Sequence, residues 1–216
     1  MGGRAVSDFG RIIQTDADVA EGAAWLTQKD ARFAQALVQT GPLPLRLKPD
    51  GFRELLEIIV SQQVSVASAN AIRARMQAAG LTTQAAVLDA GEEGLRHAGL
   101  SRPKIRYALI LATSDLDYAS LHDLDDSDAM ARLTAITGIG PWSAQIYVMF
   151  CMGRADVFPP GDLALQVAAQ NLFDLPARPG AQELAELAQA WTPWRSVAAR
   201  ALFAYYHILK NREGLG

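Results

Sequence analysis

The sequence predicts an all-α protein, on three observations. Alanine is abundant and runs of β-branched residues are short, which favours helix over strand. Apolar residues recur at helical spacing in segment after segment. Between those segments stand Gly, Pro and Ser/Asp signals that stop one helix and start the next. With 216 residues, half of them hydrophobic and 20 % charged, the chain suits one domain or two intimate lobes around a sizeable core.

The elements follow in order. Residues 1 to 15 read as a flexible start, with Gly2, Gly3 and Gly10. Asp16 opens a helix bearing Val19, Ala23, Trp25 and Leu26. Asp30 to Gln39 forms a second, with Phe33, Leu37 and Val38. Gly41-Pro-Leu-Pro44 and Pro49-Asp-Gly51 are turns. Phe52 to Gln62 is a helix that turns Leu55, Leu56, Ile58 and Ile59 toward a core. The polar string Gln62-Gln-Val-Ser65 interrupts it, and Ser65 suits the cap of a helix reaching about Ala79. Short helices are expected at 83 to 89, 91 to 98 and 103 to 117, the last capped by Ser101 with Pro103 in its first turn. No strand, repeat or low-complexity tract is expected. After Asp162 a helix runs to about Asn171, and helices at 181 to 190 and 194 to 210 close the chain.

The most informative stretch is 133 to 165. Asp126 to Ala135 reads as one helix and Trp142 to Met152 as another, joined by Gly138-Ile-Gly140-Pro141. The glycines permit a reversal and Pro141 suits a first helical position. Such a turn points several backbone N–H groups one way, which makes an anion site with phosphate as the natural guest. An ordinary αα-corner that binds nothing has the same local pattern. A dinucleotide fold needs a strand before the glycines, and the pattern there is helical. Asp156-Val-Phe-Pro-Pro-Gly161 breaks the second helix, which leaves Asp162 at the start of a third. Asp is a favoured N-cap, and a carboxylate held there could also stabilise a cationic transition state.

Charge and composition narrow the field. A net charge of −3 argues against a protein that coats nucleic acid, yet not against one that grips a few phosphates. Arg96, Arg102, Lys104 and Arg106 cluster, as do Arg195, Arg200, Lys210 and Arg212; each group is either a solvated face or a contact for an acidic partner. The single cysteine, Cys151, lies in an apolar run and reads as a small buried residue. It excludes an internal disulfide and a four-cysteine iron–sulfur cluster. His97, His122 and His207 have no metal-ligand spacing. No apolar run reaches the ~18 residues of a membrane helix, and the N-terminus lacks a signal-peptide pattern.

Taken together, the Gly138-Ile-Gly140-Pro-Trp142 string and the Asp156-Val-Phe-Pro-Pro-Gly-Asp162 run resemble the helix-hairpin-helix DNA glycosylase superfamily. They are most similar to its DNA-3-methyladenine glycosylase II branch. Ile58-Ile-Val-Ser-Gln62-Gln-Val-Ser65 and Trp191-Thr-Pro-Trp194-Arg195 agree with it, so the resemblance spans roughly residues 50 to 210. It implies a two-lobed helical fold, with lobe A from 1–55 plus 163–216 and lobe B from 56–162, the motif at about 126–152. It implies hydrolysis of the N-glycosidic bond of an alkylated base in duplex DNA by a cytoplasmic, bacterial-type monomer. Asp162 would be the catalytic carboxylate, at the seam of a cleft that receives the base. The amides of Gly138, Gly140 and Ser143 would hold a phosphate. Gln62 would line the base pocket with Trp142 and Phe203, and Gln63 would wedge into the duplex gap, where relatives place Leu. Two other pocket aromatics of the family read Ile146 and Leu163 here. Carbonyls of Thr134, Ile136 and Gly138 would bind Na+ or K+, with no catalytic cofactor. Bifunctional relatives carry a lysine nucleophile where Trp142 stands, so simple hydrolysis is implied. Longer members have an α/β domain for which the residues before Phe52 are too few. A glycosylase for another lesion, oxidised or deaminated, and a non-catalytic DNA-binding module both remain open at this point.

Overall fold

The computed structural model describes residues 6–7 and 10–212. Its helices are α1 (Asp16–Lys29), α2 (Ala31–Thr40), α3 (Phe52–Ser61), α4 (Val66–Ala78), α5 (Gln84–His97), α6 (Arg102–Thr113), α7 (Asp126–Thr134), α8 (Pro141–Phe150), α9 (Leu163–Leu172), α10 (Ala181–Ala188) and α11 (Arg195–Arg212). The chain divides into two compact units, one from the chain up to Leu47 together with the chain from Gly153 on, the other Lys48–Met152. The sequence reading set these divisions at 55/56 and 162/163. The observed ones leave α3 whole, because Leu55, Leu56, Ile58, Ile59 and Val60 are all buried within the Lys48–Met152 unit.

The first unit is built on α11, which packs against α9, α2 and α1. Gly22 on α1 permits one of these contacts, since a Cβ there would lie 2.6 Å from both Trp194 and Val197 side chains. Trp191 is the aromatic centre. Its ring stacks on Phe173 at 5.5 Å and meets Phe33 and Phe158 edge-on at 5.5 and 5.4 Å. The segment leading to Asp162 is tied to the start of α11. Ser196 Oγ donates to the Arg154 carbonyl at 2.6 Å and accepts from the Val157 N–H at 3.2 Å. Arg195 grips Asp156 with two bonds, at 2.8 and 3.0 Å. A bidentate pair of this kind fixes geometry as well as charge.

The second unit centres on α3, which packs against α4, α6 and α8. The Gly51 N–H donates to Tyr147 Oη at 2.7 Å, which fastens α8 to the start of α3. Gly91 takes a φ of 56° inside α5, so this element is two helical stretches across a kink, as the expected break between 89 and 91 implies. Only glycine adopts that conformation without strain.

Several expectations are corrected. Val6–Ser7 pairs with Gly10–Arg11 in a two-residue antiparallel ladder, and the Ile13 N–H donates to the Gly153 carbonyl at 2.7 Å. The described part of the first 15 residues is thus tied down by buried Ile13; residues 1–5 and 8–9, with Gly2 and Gly3, lie outside the described residues. Ser101 sits at the N-cap of α6 without a side-chain cap bond, and α6 stops at Thr113, ahead of a 3-10 turn at Ala119–Asp123. The basic clusters are exposed only in part, at Arg96, Arg102, Arg106 and Arg212. Lys104 and Arg200 are buried, and Arg195 is held by Asp156.

Candidate functional site

The hairpin forms as its sequence dictates. Asp125 caps α7 by accepting from the Asp128 N–H at 2.8 Å. Beyond α7 the chain folds over on Ile139, which is buried and whose N–H donates to the Ile136 carbonyl at 3.0 Å. The two glycines differ in role. Gly138 has a φ of +100°, and a Cβ there would overlap the Tyr107 ring, so glycine is imposed by the fold. Gly140, the N-cap of α8 at φ −89°, would meet nothing within 4 Å. Among the described residues, no contact demands a glycine at 140. Pro141 opens α8, and its first helical bond runs from the Ala144 N–H to the Gly140 carbonyl at 3.0 Å. Amides ahead of that bond belong to the open end of the helix, where an anion is favoured.

Gln62 joins this hairpin. It ends α3, and its Nε2 donates both to the Gly138 carbonyl and to Ser143 Oγ, each at 2.9 Å. Its carboxamide therefore serves the hairpin first. Ser143 is 2 % exposed, and its Oγ is taken up by Gln62. Gln63 follows with φ +54°, an uncommon left-handed conformation for a side chain of this size. It is exposed, and so are Val64 and Val66 beside it. Trp142, in the first turn of α8, and Ile146 are half-buried. Of the three carbonyls expected at a cation, those of Ile136 and Gly138 already accept one bond each; a carbonyl oxygen keeps a second lone pair.

The carboxylate sits in the other unit. After Pro159-Pro160-Gly161 the Asp162 N–H donates to the Pro159 carbonyl at 3.1 Å, closing the turn. Asp162 Oδ1 accepts from the N–H groups of Ala164 at 2.8 Å and Leu165 at 3.4 Å. Gln166 Nε2 pins the Pro160 carbonyl at 3.0 Å from behind. Asp162 is thus the N-cap of α9 and only partly buried. Two donors and the positive end of a helix suit its negative charge. Leu163 next to it is 54 % exposed. Phe203, on α11 in this same unit, is half-buried. The structure brings Gln62, Gly138 and Ser143 into direct contact. Lys104 stands out in the sequence only as a member of a basic cluster, and nothing in the sequence marks Tyr107, whose ring lies against Gly138.

The hairpin and the helix capped by Asp162 both fall inside one matched segment. The model for the HhH-GPD superfamily base excision DNA repair proteins matches residues 56–193, and the chain belongs to that family. The alkylbase DNA glycosidase-like protein mag2 of Schizosaccharomyces pombe is 24 % identical over 199 residues, 87 % of this chain and 93 % of that one. The structure of S. pombe 3-methyladenine DNA glycosylase Mag1 with abasic DNA aligns at TM-score 0.76 and 25 % identity, over 85 % of this chain and 95 % of that one. A DNA-3-methyladenine glycosidase from Bacillus halodurans aligns at TM-score 0.74 and 31 % identity, over 93 % and 94 %. The all-α glycosylase fold with its hairpin motif is the one expected from the sequence.

Proposed function

We propose that this protein is a monofunctional DNA glycosylase of base excision repair, which hydrolyses the N-glycosidic bond of alkylated bases of the 3-methyladenine type in duplex DNA. The observation that carries the reading is Asp162, capping α9 straight after the Pro-Pro-Gly turn, in a chain of this family. Names of relatives similar along nearly the whole chain support the alkylbase assignment.

The target base must leave the stack, which costs a few kcal/mol. Amides of Gly138, Gly140 and Ser143 grip a neighbouring phosphate and set the register. Gln63, presented left-handed from its turn, fills the vacated gap. Trp142 stacks on the electron-poor purine, by the attraction between a cation and an aromatic face, and Phe203 adds apolar surface. Alkylation already makes the base a good leaving group, so no strong general acid is needed. As the C1′–N bond breaks, the sugar becomes oxocarbenium-like. The Asp162 carboxylate stabilises it and orients the attacking water. The carbonyls of Thr134, Ile136 and Gly138 suit a hard monovalent cation, which would add positive charge beside the phosphate. The chemistry needs no other cofactor, and the protein acts as a monomer.

The test is release of free 3-methyladenine from methylated duplex DNA. The expected product is an intact abasic strand that breaks only on alkali treatment. A covalent adduct trapped by borohydride would instead mean an amine nucleophile. A panel of duplexes with single oxidised, deaminated or alkylated bases separates this reading from a relative with another lesion, and binding without any release would leave only a DNA-binding module.

A further inference from the structure

Lys104 is a buried charge that the proposed chemistry does not use. It is 7 % exposed, in the first turn of α6, and its Nζ donates to the Val60 carbonyl at 2.6 Å. The placement is unfavourable twice over. Burial penalises the ammonium and holds it below the usual lysine range. The N-terminal end of α6 also repels a cation. An apolar side chain of similar length would fill the site without either cost. What the lysine adds is a bond at one place, the C-terminus of α3. Val60 is the penultimate residue of α3, so its carbonyl is one of the four without a partner inside the helix. The neighbouring carbonyls are closed too, Ile58 by Ser61 Oγ at 2.8 Å and Ile59 by the Gln62 N–H at 3.3 Å.

The chain leaves this end directly into Gln62 and Gln63. Gln62 is bound on its far side to Gly138 and Ser143. Directly after these two attachments stands the strained φ of Gln63, which persists only where its surroundings over-determine it.

We propose that Lys104 is a positioning residue, which together with Gln62 clamps the chain where it enters the α3–α4 turn and keeps Gln63 aimed at the gap left by a flipped base. The proposal rests on the glycosylase reading above. It assigns Lys104 no contact with DNA. Its effect is confined to the step in which the turn replaces the base in the stack.

Lys104→Met keeps the apolar stem and deletes the donor. The probe is a duplex with one N-methylpurine that the wild type excises, facing either its normal partner or a tetrahydrofuran abasic analogue. The second duplex is already unstacked, so the turn has less to do. In single turnover at saturating enzyme, the variant should lose about tenfold on the paired duplex, since misplacement of a positioning element carries losses of this order or more. It should stay within roughly twofold on the unpaired one. Hydrogen exchange at the amides of 62 to 65 should quicken, and affinity for undamaged duplex should hold, since the hairpin glycines are untouched. Equal losses on both duplexes, or unchanged exchange in the turn, would overturn the clamp. If Lys104→Met does not fold, Lys104→Gln, with a shorter neutral donor, is read in the same way: the same split supports the clamp and equal losses overturn it. Wild-type protein that excises nothing would sink the glycosylase reading itself, whereas active wild type with an equally active Lys104→Met overturns only the clamp.

Discussion

Gln62 Nε2 donates to the Gly138 carbonyl at 2.9 Å, across 76 residues of sequence. The turn after α3 and the hairpin between α7 and α8 are therefore fastened to one another. A phosphate at the hairpin amides, as proposed above, would be held in register with the residue that would enter the stack.

The hairpin glycines should separate stability from binding. Gly138→Ala meets both a positive φ and the Tyr107 ring, so it should destabilise by roughly 1–3 kcal/mol in urea denaturation. Gly140→Asp has open space and a favoured N-cap side chain at its position. It should melt like the wild type. Its carboxylate would block and repel the phosphate, so affinity for every duplex, undamaged DNA included, should drop by roughly ten- to a hundredfold, the worth of one charge-assisted bond. A Gly140→Asp protein with normal affinity would reduce the hairpin to an αα-corner.

Asp162→Asn should keep the cap, because the Asn carbonyl oxygen can still accept from Ala164 and Leu165. The melting temperature should change little. Single-turnover release of 3-methyladenine should slow by ~10²–10³-fold through loss of the charge facing the sugar cation. Affinity for lesion DNA should persist or rise, as a carboxylate no longer faces phosphates. Near-normal turnover in this variant would make Asp162 a helix cap and nothing more.

Trp142→Ala tests the stacking face. A cationic alkylpurine should lose roughly 0.5–2 kcal/mol of transition-state stabilisation beyond the loss for a neutral base such as hypoxanthine. The ratio of kcat/KM for 7-methylguanine and hypoxanthine duplexes reads this directly. An unchanged ratio would assign Trp142 to packing.

Alkaline pH should weaken the Lys48–Met152 unit. Burial pushes the Cys151 thiol and the Tyr118 phenol up to about 12, and Tyr147 higher still. Each must stay neutral while folded, but is free to ionise when unfolded at its ordinary value, 9.0 for Cys and 10.0 for Tyr. With folded pKa values raised, their contribution is intact below about pH 9 and is lost as pH rises through the range 9 to 12. The urea midpoint should hold between pH 7 and 8.5 and fall by pH 10.5. Iodoacetamide at pH 8 should label Cys151 only after denaturation. A midpoint that stays level to pH 11 would contradict the buried placement of these groups.

Much of this protein is written locally. Ser65 and Asp162 cap their helices, Gly91 breaks α5, and Gly138 reverses the chain, each through bonds or dihedral limits that reach only a few residues. Such features are legible because capping, glycine conformation and apolar spacing act at short range. The destinations of polar side chains are another matter. Lys104 and Arg200 stand in basic clusters along the sequence, yet both are interior, each with a backbone carbonyl as partner, Val60 and Leu45. Gln62 looks like a surface glutamine until Gly138 and Ser143 arrive from 76 and 81 residues away. Ile13, in a stretch rich in glycine, is buried and donates its N–H to the Gly153 carbonyl, 140 residues away. A buried polar group must find its partner wherever packing supplies one, and packing is fixed by contacts between distant segments. The sequence alone therefore determined the helices, the hairpin and the place of the carboxylate. Only the tertiary structure decided which charge braces the turn and why the two hairpin glycines are not equivalent.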